Sequence, residues 1–186
     1  MKASVIIATY GRDSFLVNTI RSALLQDYPG FELLVVDQSA DHAPEVTTFL
    51  RTVDDPRYSY HLVTPPSLPA ARNFGLARAR GEIAIYIDDD VVLDPGFIEA
   101  HVKAYERAEP VAAVGGRIRV PGKPVSTHLL AFRADASYSG GFDIPDEGEL
   151  ETVLGCNMSF RRSALEEIGG FDPSYEGNAL WEEFDA

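Results

Sequence analysis

The sequence predicts an α/β fold, a three-layer α/β/α sandwich around a mainly parallel central sheet. Three observations carry that expectation. Short apolar runs rich in β-branched residues alternate with segments of helical spacing. The runs are apolar at nearly every position, as strands covered on both faces must be. Polar clusters follow three of them, at Tyr10-Gly11-Arg12, Asp37-Gln38-Ser39 and Asp88-Asp89-Asp90. In a parallel sheet such clusters share one edge, beyond the carboxyl ends of the strands, where ligands bind.

The elements follow in order. Ala3 to Ala8 reads as a buried strand, broken by Gly11 to Ser14, where Asp13 or Ser14 can cap a helix. Leu16, Ile20, Ala23 and Leu24 recur at helical spacing until Tyr28-Pro29-Gly30 stops them. Phe31 to Val36 is a second strand, Pro44 to Arg51 a helix, and Tyr58 to Val63 a third strand. Pro69 near the first position and Gly81 after the last frame a helix over Ala70 to Arg80. Glu82 to Ile87 is a fourth strand. Asp94-Pro95 opens a helix to about Glu109, and Val111 to Val120 is a strand with an irregularity at Gly115-Gly116. Pro121 to Glu151 is weakly patterned and reads as a long irregular loop. Thr152 to Phe160 is a further strand. Ser163-Ala164-Leu165-Glu166 has the pattern of a capping box, and Gly169-Gly170 ends its helix.

A chain of 186 residues fits a single domain over 1–186, and 45% hydrophobic residues make it globular. The net charge of -13, from 29 acidic and 16 basic residues, excludes a nucleic-acid partner, which needs a basic face. A phosphate ester bound by so acidic a chain calls for a divalent cation held by carboxylates. The single Cys156 excludes an internal disulfide and suits a reducing compartment; it reads as a buried structural thiol. Met1 to Ala8 is too short for a signal peptide, and no stretch approaches the ~20 apolar residues of a spanning helix. The expectation is a cytoplasmic protein.

Asp88, Asp89 and Asp90 are three adjacent carboxylates that repel one another unless a cation joins them. Mg²⁺ or Mn²⁺ takes one or two carboxylates together with phosphate oxygens, so Asp90 and Asp89 are the candidate ligands. A solvated acidic turn is the plainer alternative. Arg72 in Arg72-Asn73-x-Gly75 is a candidate for a phosphate or carboxylate, although a surface arginine on an amphipathic helix has the same pattern. Tyr10 offers an aromatic face to a nucleobase, or packs under a loop. Glu182-Glu183-Phe184-Asp185, after Trp181, can supply a general base or simply start a solvated helix. His42, His61, His101 and His128 lack metal-ligand spacing and receive no role.

Taken together, these segments resemble family 2 of the inverting glycosyltransferases. Ser4 to Arg12 is similar to the family's opening strand and loop. Ser22-x-x-x-Gln26-x-Tyr28-Pro29-x-Phe31-Glu32-Leu33 and Val35-Val36-Asp37-x-Ser39 resemble the next segment. Ala71-Arg72-Asn73-x-Gly75 and Ala79-Arg80-Gly81-Glu82 precede Asp88-Asp89-Asp90 as in the family. Gly155 to Arg161 and Ile168 to Asp172 are similar to its acceptor-side segment.

The resemblance implies a GT-A fold and a nucleotide-sugar donor. Donor contacts would come from Ala8, Tyr10, Asp37, Gln38, Arg72, Asp88 and Asp89. Asp90 with Asp89 would hold the metal, Asn157 and Glu182 would lie on the acceptor side, and Glu183 would be the catalytic base. The acceptor would be a saccharide, a lipid-linked group or a protein, with peripheral association at the cytoplasmic face of a membrane. Gln38 stands where an acidic residue commonly contacts uracil, and Gly11 where asparagine is common. Ala186 falls just past the presumed base, so the domain is expected to be cut short at its C-terminal end. Two alternatives stand beside this reading. One is a non-catalytic nucleotide-sugar-binding fragment. The other is a haloacid-dehalogenase-type phosphohydrolase, whose strand-then-Asp-x-Asp signature Ile87 to Val92 also satisfies, although in that fold the motif ends the first strand rather than the fourth.

Overall fold

A computed structural model of the chain describes residues 1–106, 111–123 and 153–175, with positions 131–132, 138–139, 143 and 148. In chain order the elements are β1 (Ala3–Thr9), α1 (Asp13–Leu24), β2 (Phe31–Asp37), α2 (Pro44–Thr52), β3 (Tyr58–Leu62), α3 (Leu68–Leu76) and β4 (Ile83–Ile87). There follow α4 (Phe97–Tyr105), β5 (Ala113–Gly115), β6 (Ala131–Phe132), β7 (Tyr138–Ser139), β8 (Asn157–Arg161) and α5 (Arg162–Glu167). One sheet has the order β3-β2-β1-β4-β8-β5, and β6 pairs with β7 separately.

The first four strands are parallel, in a register that sets Ala8 opposite Val36 and Thr9 opposite Asp37. Their side chains alternate between two cores, as the two-residue period of a strand requires. Val5, Ile7, Leu33, Val35, Ile85 and Ile87 meet Leu16 and Ile20 of α1, Leu50 of α2 and Ile98 of α4. Ile6, Leu34, Val36, Ala84 and Tyr86 meet Ala71 and Leu76 of α3 and Leu165 of α5. This is the expected three-layer sandwich. The addition is β8, which runs antiparallel between β4 and β5. Its position brings Asn157 opposite Ile87, beside the Asp88-Asp89-Asp90 turn.

Several boundaries move for identifiable reasons. Arg12 occupies the N-cap of α1 without a side-chain cap. The Asp13 carboxylate instead accepts the N–H of Ala43, the N-cap of α2, at 2.8 Å. Ser67 caps α3 through the Ala70 N–H, and that helix ends at Leu76, four residues before the expected Arg80. The N–H groups of Arg78 and Ala79 both turn back to the Gly75 carbonyl, which tightens the chain toward β4. Gly96, at φ +80°, delays α4 to Phe97. The capping box does not form: Ser163 lies inside α5, whose N-cap is Arg161 without a side-chain bond. The C-terminus of α5 follows expectation. Gly169 and Gly170 are left-handed, and their N–H groups bond the Glu166 and Leu165 carbonyls. Cys156 is half-buried rather than buried. The end of the α4 segment at Glu109, Thr152 and most of Pro121 to Glu151 lie outside the described residues.

Two glycines let neighbouring layers touch. A Cβ on Gly75 would lie 2.5 Å from Ile6 Cγ2, and one on Gly81 would lie 2.5 Å from the Ser4 backbone nitrogen. No side-chain rotation relieves the second clash, because the obstacle is backbone. Gly81→Ala is therefore expected to cost about 2 kcal/mol or more. Gly30→Ala, which makes only ordinary contacts, should change stability by less than about 0.5 kcal/mol. Urea denaturation of both variants checks this; equal midpoints would refute the close-approach account.

Candidate functional site at the carboxyl edge of the sheet

Strands β1, β2 and β4 end side by side, and their following turns interlock. The Gly11 N–H donates to Ser39 Oγ at 2.9 Å, and the Gln38 N–H donates to the Thr9 carbonyl at 3.0 Å. Thr9 Oγ1 donates to Asp89 Oδ2 at 2.6 Å, and Thr19 Oγ1 of α1 donates to the Asp89 carbonyl at 2.8 Å. Arg12 lies across the opening, with Nη1 3.0 Å from Asp90 Oδ2 and Nε 3.8 Å from Asp89 Oδ1. The three polar clusters thus meet at one edge.

Their members differ in availability. Tyr10 is 62% exposed, with its ring toward solvent. Ala8 is half-buried and packs on the α3 side of the sheet. Asp88 is half-buried directly after β4. Asp89 is only 6% exposed, and burial holds its carboxyl above the ordinary value against the pull of Thr9 and Arg12. Asp90 is exposed. Asp37 is fully buried: Oδ1 accepts the Ser39 N–H at 2.8 Å, while Oδ2 takes Tyr60 Oη at 2.8 Å and His42 Nε2 at 2.5 Å. It forms the floor of the turn rather than its lip. Gln38 is also buried and accepts the Ser67 N–H through Oε1 at 2.5 Å.

Arg72 is buried, not on the surface. Its guanidinium lies 5.4 Å from the Phe171 ring and beneath Gly155, whose lack of a Cβ leaves the room. Its neighbour Asn73 holds Phe171 by both amide atoms, donating to the carbonyl at 2.7 Å and accepting the N–H at 2.9 Å. The Arg72-Asn73-x-Gly75 segment is thus spent largely on docking α3 against β1 and the turn after α5. Glu182 and Glu183 lie outside the described residues.

Asn157 ends a buried polar chain whose direction can be read. Its Nδ2 donates to the Arg117 carbonyl at 3.0 Å, so Oδ1 faces His101 Nε2 at 2.8 Å and must accept. Burial pushes the His101 pKa down to about 4, so the imidazole is neutral. Nδ1 then accepts from Ser159 Oγ, 2.8 Å away, and Ser159 in turn accepts from Tyr105 Oη at 2.9 Å. His101 gives no sequence signal for this role, because its partners Asn157 and Ser159 come from another element, 56 and 58 residues away.

Among the described residues no three His, Cys, Asp or Glu side chains gather to hold a metal. Asp90 nevertheless presents a solvent-facing carboxylate, and Asp89 Oδ1 lies beside it within reach of the same guanidinium. Hard carboxylate oxygens, one or two in number and open on the remaining sides, suit Mg²⁺ or Mn²⁺ completed by phosphate and water.

The fold is that of the GT-A glycosyltransferases. A mannosyltransferase of Pyrobaculum calidifontis, solved with GDP-Man and Mn²⁺, shares it at TM-score 0.70 and 23% identity, over 93% of this chain and 48% of its own. Staphylococcus aureus TarS, solved with UDP-GlcNAc, shares it at TM-score 0.72 and 18% identity, over 99% of this chain and 51% of its own. The chain belongs to glycosyl transferase family 2, whose model matches residues 4–169. That membership sets aside the phosphohydrolase alternative. The glucosyl-dolichyl phosphate glucuronosyltransferase of Haloferax volcanii is 30% identical over 92% of this chain, which spans 56% of that relative's length.

The neutral His101 makes stability depend on pH. Its folded pKa lies below that of an unfolded histidine near 6.5, so its contribution is complete above about pH 6.5 and is lost as pH falls toward 4. Up to about 3 kcal/mol is expected to disappear across that window. His101→Gln should flatten this part of a stability–pH curve measured by urea denaturation. An unchanged slope would refute the neutral-imidazole chain.

Proposed function

We propose that the protein containing this chain is an inverting glycosyltransferase that moves a sugar from a nucleoside-diphosphate donor to an acceptor hydroxyl with the aid of Mg²⁺ or Mn²⁺. The supporting observation is the convergence at one sheet edge of an exposed aromatic ring, Tyr10, a carboxylate pair, Asp89 and Asp90, and a cation, Arg12. In this reading the nucleobase lies against Tyr10 and the Asp37-Gln38-Ser39 turn. Asp88 sits near the ribose, and Ala8 backs the same wall. Asp90 and Asp89 hold the cation. Bound there, the cation would neutralise charge on the departing diphosphate. Arg12 already bridges this pair and lies where it can turn from Asp90 to a phosphate oxygen. Arg72 acts from beneath, through the Gly155 turn. Glu183 removes the acceptor proton, with Glu182 and Asn157 on the acceptor side.

The acceptor class is a saccharide, a lipid-linked group or a protein. The name of the Haloferax relative, a glucosyl-dolichyl phosphate glucuronosyltransferase, favours a lipid-linked acceptor; peripheral association at the cytoplasmic face of a membrane is part of the same proposal. No helix among the described residues is long and apolar enough to cross one.

Calorimetric titration with UDP, GDP and dTDP, each with and without Mn²⁺, tests the donor site. One nucleotide should bind only with the cation, and Asp90→Ala should remove the cation's effect while leaving the circular dichroism spectrum unchanged. Unaltered affinity in that variant would sink the metal assignment. In a longer chain with transfer activity, Glu183→Gln should bind donor normally and fail to transfer it; retained transfer would remove Glu183 as the base.

A further inference from the structure

The β2–α2 turn is held by a histidine that the donor reading does not use. His42 has Nδ1 2.5 Å from Asp13 Oδ1 and Nε2 2.5 Å from Asp37 Oδ2. Its side chain is 7% exposed, with Asp37 at 0% and Asp13 at 32%. Ionised carboxylates only accept hydrogen bonds, so both ring nitrogens must carry hydrogen. A neutral ring would set a lone pair against one of the two carboxylates.

The clamp connects three elements. Asp13, from α1, also accepts the Ala43 N–H that begins α2. Asp37, from β2, also accepts the Ser39 N–H, and Ser39 Oγ accepts the Gly11 N–H next to Tyr10. From β3, Tyr60 donates to the same Asp37 oxygen as His42. Arg21 of α1 and Glu45 of α2 line the groove between those helices, beside Asp13 and Ala43.

We propose that His42 is a positioning residue of the donor site: as an imidazolium between Asp13 and Asp37 it fixes the Asp37–Ala43 turn and, through Ser39, the Tyr10–Gly11 loop that receives the nucleobase. The proposal rests on the donor-site reading above. Burial lowers the His42 pKa, but the bonds to Asp13 and Asp37 outweigh it and leave the pKa above its ordinary value. A raised folded pKa means the clamp is complete at low pH and is lost as pH rises through that value. Donor affinity should follow it downward. Ionisation of a terminal phosphate, near pH 6, acts in the opposite sense and cannot imitate the effect.

The test has two readouts on the full chain. In ¹⁵N NMR from about pH 6 to about pH 9, both His42 ring nitrogens should be protonated at neutral pH, and the Gly11, Ser39 and Ala43 amides should titrate with the ring. Calorimetry with UDP, GDP and dTDP plus Mg²⁺ over the same range should show the bound nucleotide weakening by about tenfold, and His42→Gln should abolish that pH dependence. A ring that titrates at or below about 6.5, or amides indifferent to it, overturns the clamp. Nucleotide affinity unchanged with pH overturns the positioning role and leaves the donor site standing. Amides that titrate while UDP, GDP and dTDP all fail to bind at any pH overturn the donor reading, and the role with it.

Discussion

Everything at the carboxyl edge depends on the cost of burying a carboxylate. Asp37 and Asp89 are withdrawn from water at the ends of β2 and β4, and each must be surrounded by donors to remain there. Asp37 takes its donors from the Ser39 backbone, Tyr60 and His42; Asp89 takes one from Thr9 and has the Arg12 guanidinium 3.8 Å away as an ion-pair partner. Those partners come from three stretches of the chain, Thr9 to Arg12, Ser39 to His42, and Tyr60. Satisfying two charges therefore fixes the turns after β1 and β2, the start of α1 and the middle of β3 relative to one another.

A second constraint is the close approach of backbones, which accounts for much of the motif sequence. Gly75 admits α3 onto Ile6, Gly81 lays the entry to β4 on the Ala3–Ser4 backbone, and Gly155 leaves room for Arg72. Gly116 and Gly170 make similar room for Asn157 and Asn73. The two asparagines then bond backbone atoms across the gaps: Asn73 holds Phe171, and Asn157 holds Arg117. Segments with the pattern of ligand-binding motifs thus set the distance between layers, and the ligand-facing surface is left to the loops they position.

The layers and the parallel strands were legible in the sequence because apolar period and turn residues are local signals. Ala3 to Ala8, Phe31 to Val36 and Glu82 to Ile87 needed no partner to be recognised. The convergence of three turns followed from parallel topology alone. What could not be read was pairing across distance. The direction of β8 depends on its neighbours β4 and β5, not on its own residues. His42 carries no signal, because Asp13 reaches it from 29 residues upstream. Asp13 was legible as a capping residue, yet it serves the N–H of Ala43 in another helix. The burial of Asp37 and Arg72 likewise depends on what packs above them.

The same division separates the ordered part of the acidic edge from the part open to solvent. Asp37 and Asp89 are buried, their hydrogen-bond partners Ser39, Tyr60, His42 and Thr9 are buried or half-buried, and breaking those bonds would leave uncompensated charge in the interior. Asp90 and Arg12 are different. Their side chains are 37% and 51% exposed, and a pair so open to water contributes at most about 1 kcal/mol. Arg12 can leave Asp90 at little cost, because water and an incoming ligand replace what is lost. The edge is therefore rigid where its charges are hidden and exchangeable where they meet solvent. On the proposed donor reading, an arriving anion would meet a guanidinium that can turn to it, and a cation would meet the carboxylate so released.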